Sequence, residues 1–152
     1  MNTKTVLESA LKDAMRASDV VRKRTLRMAI SAIRLAEVEK GGALDENALL
    51  GILHKEIKSR QESIEDARRA NRPDLVADSE AEIQILQGFL PQPLSPEELE
   101  NLARQVIAEV GAASPREMGQ IMKQLMPRLE GRATGEQASQ VVRKLLPSTL
   151  GK

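Results

Sequence analysis

A chain of 152 residues has room for one helical domain or two small ones around an apolar interior. It contains no cysteine, tryptophan or tyrosine, and Phe89 is its only aromatic residue. That excludes disulfides, thiolate metal sites and a cysteine nucleophile, and it leaves a β-sandwich or barrel little to pack with. The net charge of +1 excludes no partner by itself.

An interior of Leu, Ile, Val, Ala and Met favours helices. The expected fold class is all-α in two helical domains: an N-terminal helical bundle over 1–90 and a small C-terminal three-helix domain over 95–150. No apolar run approaches the roughly 20 residues of a membrane span. The opening MNTKTVLESALKDAM intersperses acids with apolar residues and lacks a signal-peptide core. The expected setting is therefore soluble and cytoplasmic, with no membrane partner.

The first helix is expected to start with Thr3 as N-cap and to bury Val6, Leu7, Ala10, Leu11, Ala14 and Met15. Ser18 or Asp19 caps a second helix that runs to the Gly41-Gly42 break, with Leu26, Ala29, Ile30 and Ile33 along one side. Its first turns hold Arg22, Lys23, Arg24 and Arg27, and Arg34 follows; no acid lies between 22 and 34. Bases at a helix N-terminus oppose the macrodipole, a weak pointer to an anionic partner. Asp45 caps a third helix whose stripe is Leu49, Leu53, Ile57, Arg60 or Gln61, Ile64 and Ala67. Arg72-Pro73-Asp74 restarts the chain as a fourth helix burying Leu75, Val76, Ser79, Ile83 and Leu86.

Pro91, Pro93 and Pro96 then mark a boundary, since no helix interior tolerates such a run. Phe89, Leu90 and Leu94 are too apolar for a loose linker and are expected to dock on helices. Ser95-Pro96-Glu97-Glu98 opens a fifth helix with Leu99, Leu102, Ala103, Val106, Ile107 and Val110 inward and Gly111 after it.

Ser114 and Glu117 are expected to form a capping box for a sixth helix, with Met118, Ile121, Met122, Leu125 and Met126 inward and Pro127 as its limit. Gly131-Arg132-Ala133-Thr134-Gly135 makes a basic turn, and Thr134 with Gln137 caps a seventh helix carrying Val141, Val142, Leu145 and Leu146. Gly119, Gly131, Thr134 and Gly135 are read as structural turn residues, with Gly135 in a geometry reserved for glycine. From 112 onward seven bases oppose three acids, and with the cluster at 22–34 they define two basic zones.

Little in the chain carries catalytic chemistry. His54 is the only histidine, and its i−4 and i+4 neighbours are Leu50 and Lys58, so no metal-ligand pair exists there. Glu56, Glu62 and Glu65 read as surface partners of Lys55, Lys58, Arg60, Arg68 and Arg69. The 131–135 turn lacks the spacing and lysine of a nucleotide P-loop, and the reading assigns no catalytic residue, metal or cofactor. A helix N-terminus preceded by Arg132 suits one backbone phosphate of a larger nucleic acid. Arg132, Lys144, Arg143, Lys123, Arg128, Arg24 and Arg27 are accordingly the candidate RNA-binding residues.

Three segments together resemble the YqeY family, stand-alone relatives of the C-terminal tail of the tRNA-dependent amidotransferase B subunit. They are Arg24 to Ile33 with Glu37; Glu80-Ala81-Glu82-Ile83 with Leu86, Leu90-Pro91 and the Leu94-Ser95-x-x-Glu98-Leu99 start; and Met118-Gly119 with Met122, Gly131-Arg132-Ala133 and Val141. The resemblance implies a helical bundle followed by a three-helix domain, and an appendage that in the amidotransferase engages the tRNA body. It also brings an association with carbon–nitrogen ligases that use glutamine as nitrogen donor. The domains that perform that chemistry are not in this sequence. The leading expectation is a non-catalytic binder of tRNA or another structured RNA, acting beside an aminoacyl-tRNA-processing protein; the alternative is an adaptor whose basic zones meet an acidic protein. The lack of Tyr and Trp argues against single-strand binding by base stacking.

Overall fold

A computed structural model describes residues 2–112 and 114–146. Among these the chain forms seven α-helices and one 3-10 turn and no strand, so the fold is all-α. It divides into two compact units, Met1–Leu90 and Pro91–Lys152. The end of the expected C-terminal domain, 147–150, lies outside the described residues.

Unit 1 is built from α1 (Thr3–Arg16), α2 (Val20–Lys40), α3 (Glu46–Arg69) and α4 (Pro73–Gln87). Asp19 and Asp45 accept hydrogen bonds from the amides of Arg22 and Ala48, as N-caps of α2 and α3. The cap of α1 is Asn2 rather than Thr3. Thr3 is instead buried in the first turn, where its amide and hydroxyl both donate to the Glu46 carboxylate of α3. A tertiary partner has displaced the local capping role.

Leu7, Leu26, Ile33, Leu49, Leu53 and Leu86 are fully buried at the centre of this unit. Phe89 and Leu90 pack against the same core. Removing side chains of this size from water stabilises by about 1.5–3 kcal/mol each. Asn71, in the left-handed region at φ 55°, and Pro73 at the first position of α4 turn α3 back on α4, the most extensive helix pair of the unit. Val6, Met15 and Leu75, expected inside, are exposed. Val6 and Met15 flank the Leu7–Ala14 stripe of α1, and Leu75 lies in the first turn of α4.

Unit 2 consists of α5 (Pro96–Val110), a 3-10 turn at Pro115–Glu117, α6 (Met118–Leu129) and α7 (Gly135–Leu145). Reciprocal side-chain–backbone bonds close the expected capping box at Thr134/Gln137, and a second box forms at Ser95/Glu98, where a helix start was expected. The expected box at Ser114/Glu117 does not form. Ser114 makes no side-chain cap, because Pro115–Glu117 coil as a separate 3-10 turn and α6 begins at Met118. Gly119 is therefore a helical residue of α6 and not a turn.

Pro127 also fails to end α6, which continues to Leu129. A proline in the last turn forfeits one backbone hydrogen bond, and the Ile121–Leu125–Leu129 stripe that the extra residues complete is fully buried. Met126, expected inside, is exposed. Termination comes instead from Glu130 and Gly131, both left-handed at φ 51° and 73°. Gly135 has no such backbone. A Cβ there would meet the end of Met126 at 3.5 Å, an ordinary contact, so the special geometry belongs to Gly131.

Candidate nucleic-acid interface

In unit 2 the two arginines nearest the 131–135 turn are held by their own unit. Arg132 donates from Nε to the Gln92 carbonyl at 2.8 Å, while its own carbonyl accepts from the Leu94 amide at 2.9 Å. Its Nη2 lies 3.9 Å from Glu98. These bonds clasp the proline-rich 91–94 segment to the turn after α6. Arg132, expected in an exposed basic turn, is therefore engaged within its own unit. The sequence could not disclose it, because the acceptor is a backbone carbonyl forty residues away.

Arg128 on α6 grips Glu109 on α5 through two hydrogen bonds of 2.5 and 3.1 Å. Those bonds raise the arginine's pKa and hold the Glu109 carboxyl below the usual carboxylate range. The Ser95 backbone and side chain, with a smaller contribution from Arg132, lower Glu98 in the same direction. A carboxyl with a depressed folded pKa stabilises the fold above its unfolded pKa, and that stabilisation is lost as pH falls through the folded value. The α5–α6 grip should therefore be intact at neutral pH and weaken below about pH 4.3. Melting temperature recorded against pH should fall less steeply on the acid side for Glu109→Gln than for the parent; identical slopes would show that the pair contributes nothing.

Lys123 on α6 and Arg143 and Lys144 on α7 are exposed and make no ion pair among the described residues. Arg143 and Lys144 lie in the last turn of α7, where cations complement the helix dipole. In unit 1 the basic cluster is partly spent. Arg22 lies over the Phe89 ring at 5.4 Å, Arg24 is 3.8 Å from Glu82, and Arg34 is 3.8 Å from Glu8. Arg27 is exposed with no ion pair among the described residues.

Arg60 is the cation whose position matters most to unit 1. Its side chain is 8% exposed, and its Nη1 bonds both the Glu56 carboxylate at 2.9 Å and the Glu56 carbonyl at 3.0 Å. Its Nε sits 3.7 Å from Glu82, too far for a hydrogen bond. Arg60 was expected among surface pairs, yet its spacing from Ile57 and Ile64 already put it on the apolar stripe. The Glu65–Arg69 pair, by contrast, is the exposed i,i+4 contact anticipated. No group of three or more potential metal ligands occurs among the described residues, and no described helix is long and apolar enough to cross a membrane.

Among the described residues, the candidate cations that are exposed and make no ion pair thus lie on α2, α6 and α7. The chain belongs to the Yqey-like protein family, whose sequence pattern matches residues 4–146. Relatives are named "Altered inheritance of mitochondria protein 41, mitochondrial". That of Lachancea thermotolerans is 38% identical over 112 residues, 72% of this chain and 60% of the relative. The Vanderwaltozyma polyspora protein is 38% identical over 97 residues, 62% of this chain and 52% of the relative. The Pyrenophora tritici-repentis protein is 29% identical over 147 residues, 95% of this chain and 79% of the relative. The chain thus spans between about half and four-fifths of these relatives.

The names overturn the cytoplasmic placement, since these relatives are named as mitochondrial. The inference failed because lack of cysteine and of a membrane span fits more than one compartment.

Proposed function

We propose that this protein is a non-catalytic binder of tRNA or another structured RNA, in a mitochondrial setting like that named for its relatives, beside an aminoacyl-tRNA-processing protein. The observation that carries the reading is the exposed Arg143–Lys144 pair at the end of α7, without an ion pair among the described residues. Lys123 on α6 is a further cation of the same kind. Cations already spent on internal carboxylates would gain less from a phosphate, so Arg128 and Arg132 are not part of the proposed contact. With no Tyr or Trp in the chain, recognition would rest on phosphates and the shape of folded RNA rather than on base stacking.

Electrophoretic titration of total tRNA at several salt concentrations tests the reading. Arg143→Glu combined with Lys144→Glu should weaken binding similarly for unrelated RNA sequences. It should also reduce the slope of log affinity against log salt by about two units. An unchanged slope and affinity in the folded double variant would remove α7 as the contact, and no binding by the parent at low salt would remove the RNA reading.

A further inference from the structure

Unit 1 carries a surface that the RNA reading does not use. Along the solvent side of α2, Met28, Leu35 and Val38 are 50%, 62% and 77% exposed. With the exposed Ser31 they recur at three- and four-residue steps. Side chains at those steps form one narrow stripe along a helix, opposite the Leu26–Ile30–Ile33 core face. From Arg24 to Val38 the stripe runs for about 21 Å at 1.5 Å per residue. Single exposed apolar residues are ordinary on any surface, whereas three in helical register form a seam of the kind another helix covers.

The charges beside the seam select the occupant. Arg24, Arg27 and Arg34 lie on the exposed face. Glu82 and Glu8 approach Arg24 and Arg34 only to 3.8 Å, beyond hydrogen-bond distance. Arg27 has no ion pair among the described residues, and Glu39 is the one exposed acid of α2. A second copy fits poorly. Pairing α2 with itself in parallel sets Arg24 against Arg24 within the seam, and pairing it antiparallel sets the Arg27–Arg34 edges against each other. An acidic partner meets the same arginines favourably. We propose that the solvent face of α2 is a docking surface for an amphipathic helix of a partner protein. The partner's apolar residues would cover Met28, Leu35 and Val38, and its flanking carboxylates would engage Arg27 and Arg34.

The probe is a labelled synthetic peptide of about 18 residues, with leucine at the two seam positions of each heptad and glutamate at the flanking ones. A twin carries lysine in place of glutamate. Titrated with the full chain, the glutamate peptide should bind at least about tenfold tighter than the twin. Leu35→Ser with Val38→Ser, both at exposed positions, should retain helical content and weaken the peptide at least about tenfold. Arg27→Glu with Arg34→Glu should do the same and remove the salt dependence. Equal binding of the two peptides, or binding that survives both double variants, overturns the proposal. Sedimentation showing a dimer that dissolves in the Leu35/Val38 variant would assign the face to a second copy, and loss of tRNA binding in that variant would assign it to RNA. Either result overturns the proposal too.

Discussion

Replacing Arg60 with alanine is expected to destabilise unit 1 by about 2–4 kcal/mol, read as a lower urea midpoint by far-ultraviolet circular dichroism. Breaking a buried ion pair by removing one partner typically costs about 3–5 kcal/mol, because the remaining charge is left without compensation. Glu82 is only 13% exposed, but Arg24 stays 3.8 Å away, which trims the expected loss. Part of the effect is packing, since the Arg60 stem sits on the stripe between Ile57 and Ile64 and its Nη2 touches the Met28 sulfur at 3.6 Å. Arg60→Met keeps most of that volume and should recover a substantial part of the loss. If the alanine variant unfolds at the parent's midpoint, the Glu56–Arg60–Glu82 arrangement holds nothing together.

Arg132→Glu should cost unit 2 about 1.5–3 kcal/mol, the range for a hydrogen bond to a charged group. The substitution removes the Nε donor from the Gln92 carbonyl and sets a second carboxylate near Glu98. From sequence alone Arg132 looks like an exposed turn residue whose reversal changes stability by about 0.5 kcal/mol or less. Arg132→Lys keeps the charge but has no planar fork and no Nε–H at that position, so it should rescue only partly. Lys123→Glu, on the exposed side of α6 away from its ends, serves as the control. Equal melting of Arg132→Glu and Lys123→Glu would show that the clasp contributes nothing.

Helix order and capping were largely legible because their causes are local. Asp19, Asp45, Ser95 and Thr134 cap as their spacing indicates, and the stripes of α3 and α5 are the ones buried. The misreadings fall where a distant group decides. Thr3 answers to Glu46 across 43 positions, Arg132 to Gln92 across 40, and the proline in α6 is overridden by the burial of Leu129. Candidate site residues were named by charge alone, and charge does not disclose which cations are already engaged. Arg128 is held by Glu109 and Arg24 lies near Glu82, while Arg27, Lys123, Arg143 and Lys144 have no ion pair among the described residues. The seam on α2 was hidden for a related reason. Apolar periodicity in α2 is dominated by the stripe that builds the core, and a second, interrupted stripe on the same helix reads as surface.

Phe89 under Arg22 has a consequence for spectroscopy. It is the only phenylalanine in a chain without tyrosine or tryptophan, and it packs on the core of unit 1. Backbone circular dichroism sums the helices of both units, whereas phenylalanine absorption or a fluorine label on that ring reports on unit 1 alone. Recorded together during one denaturation, the two signals would let the unfolding of unit 2 be obtained by difference, without cutting the chain or adding a tryptophan.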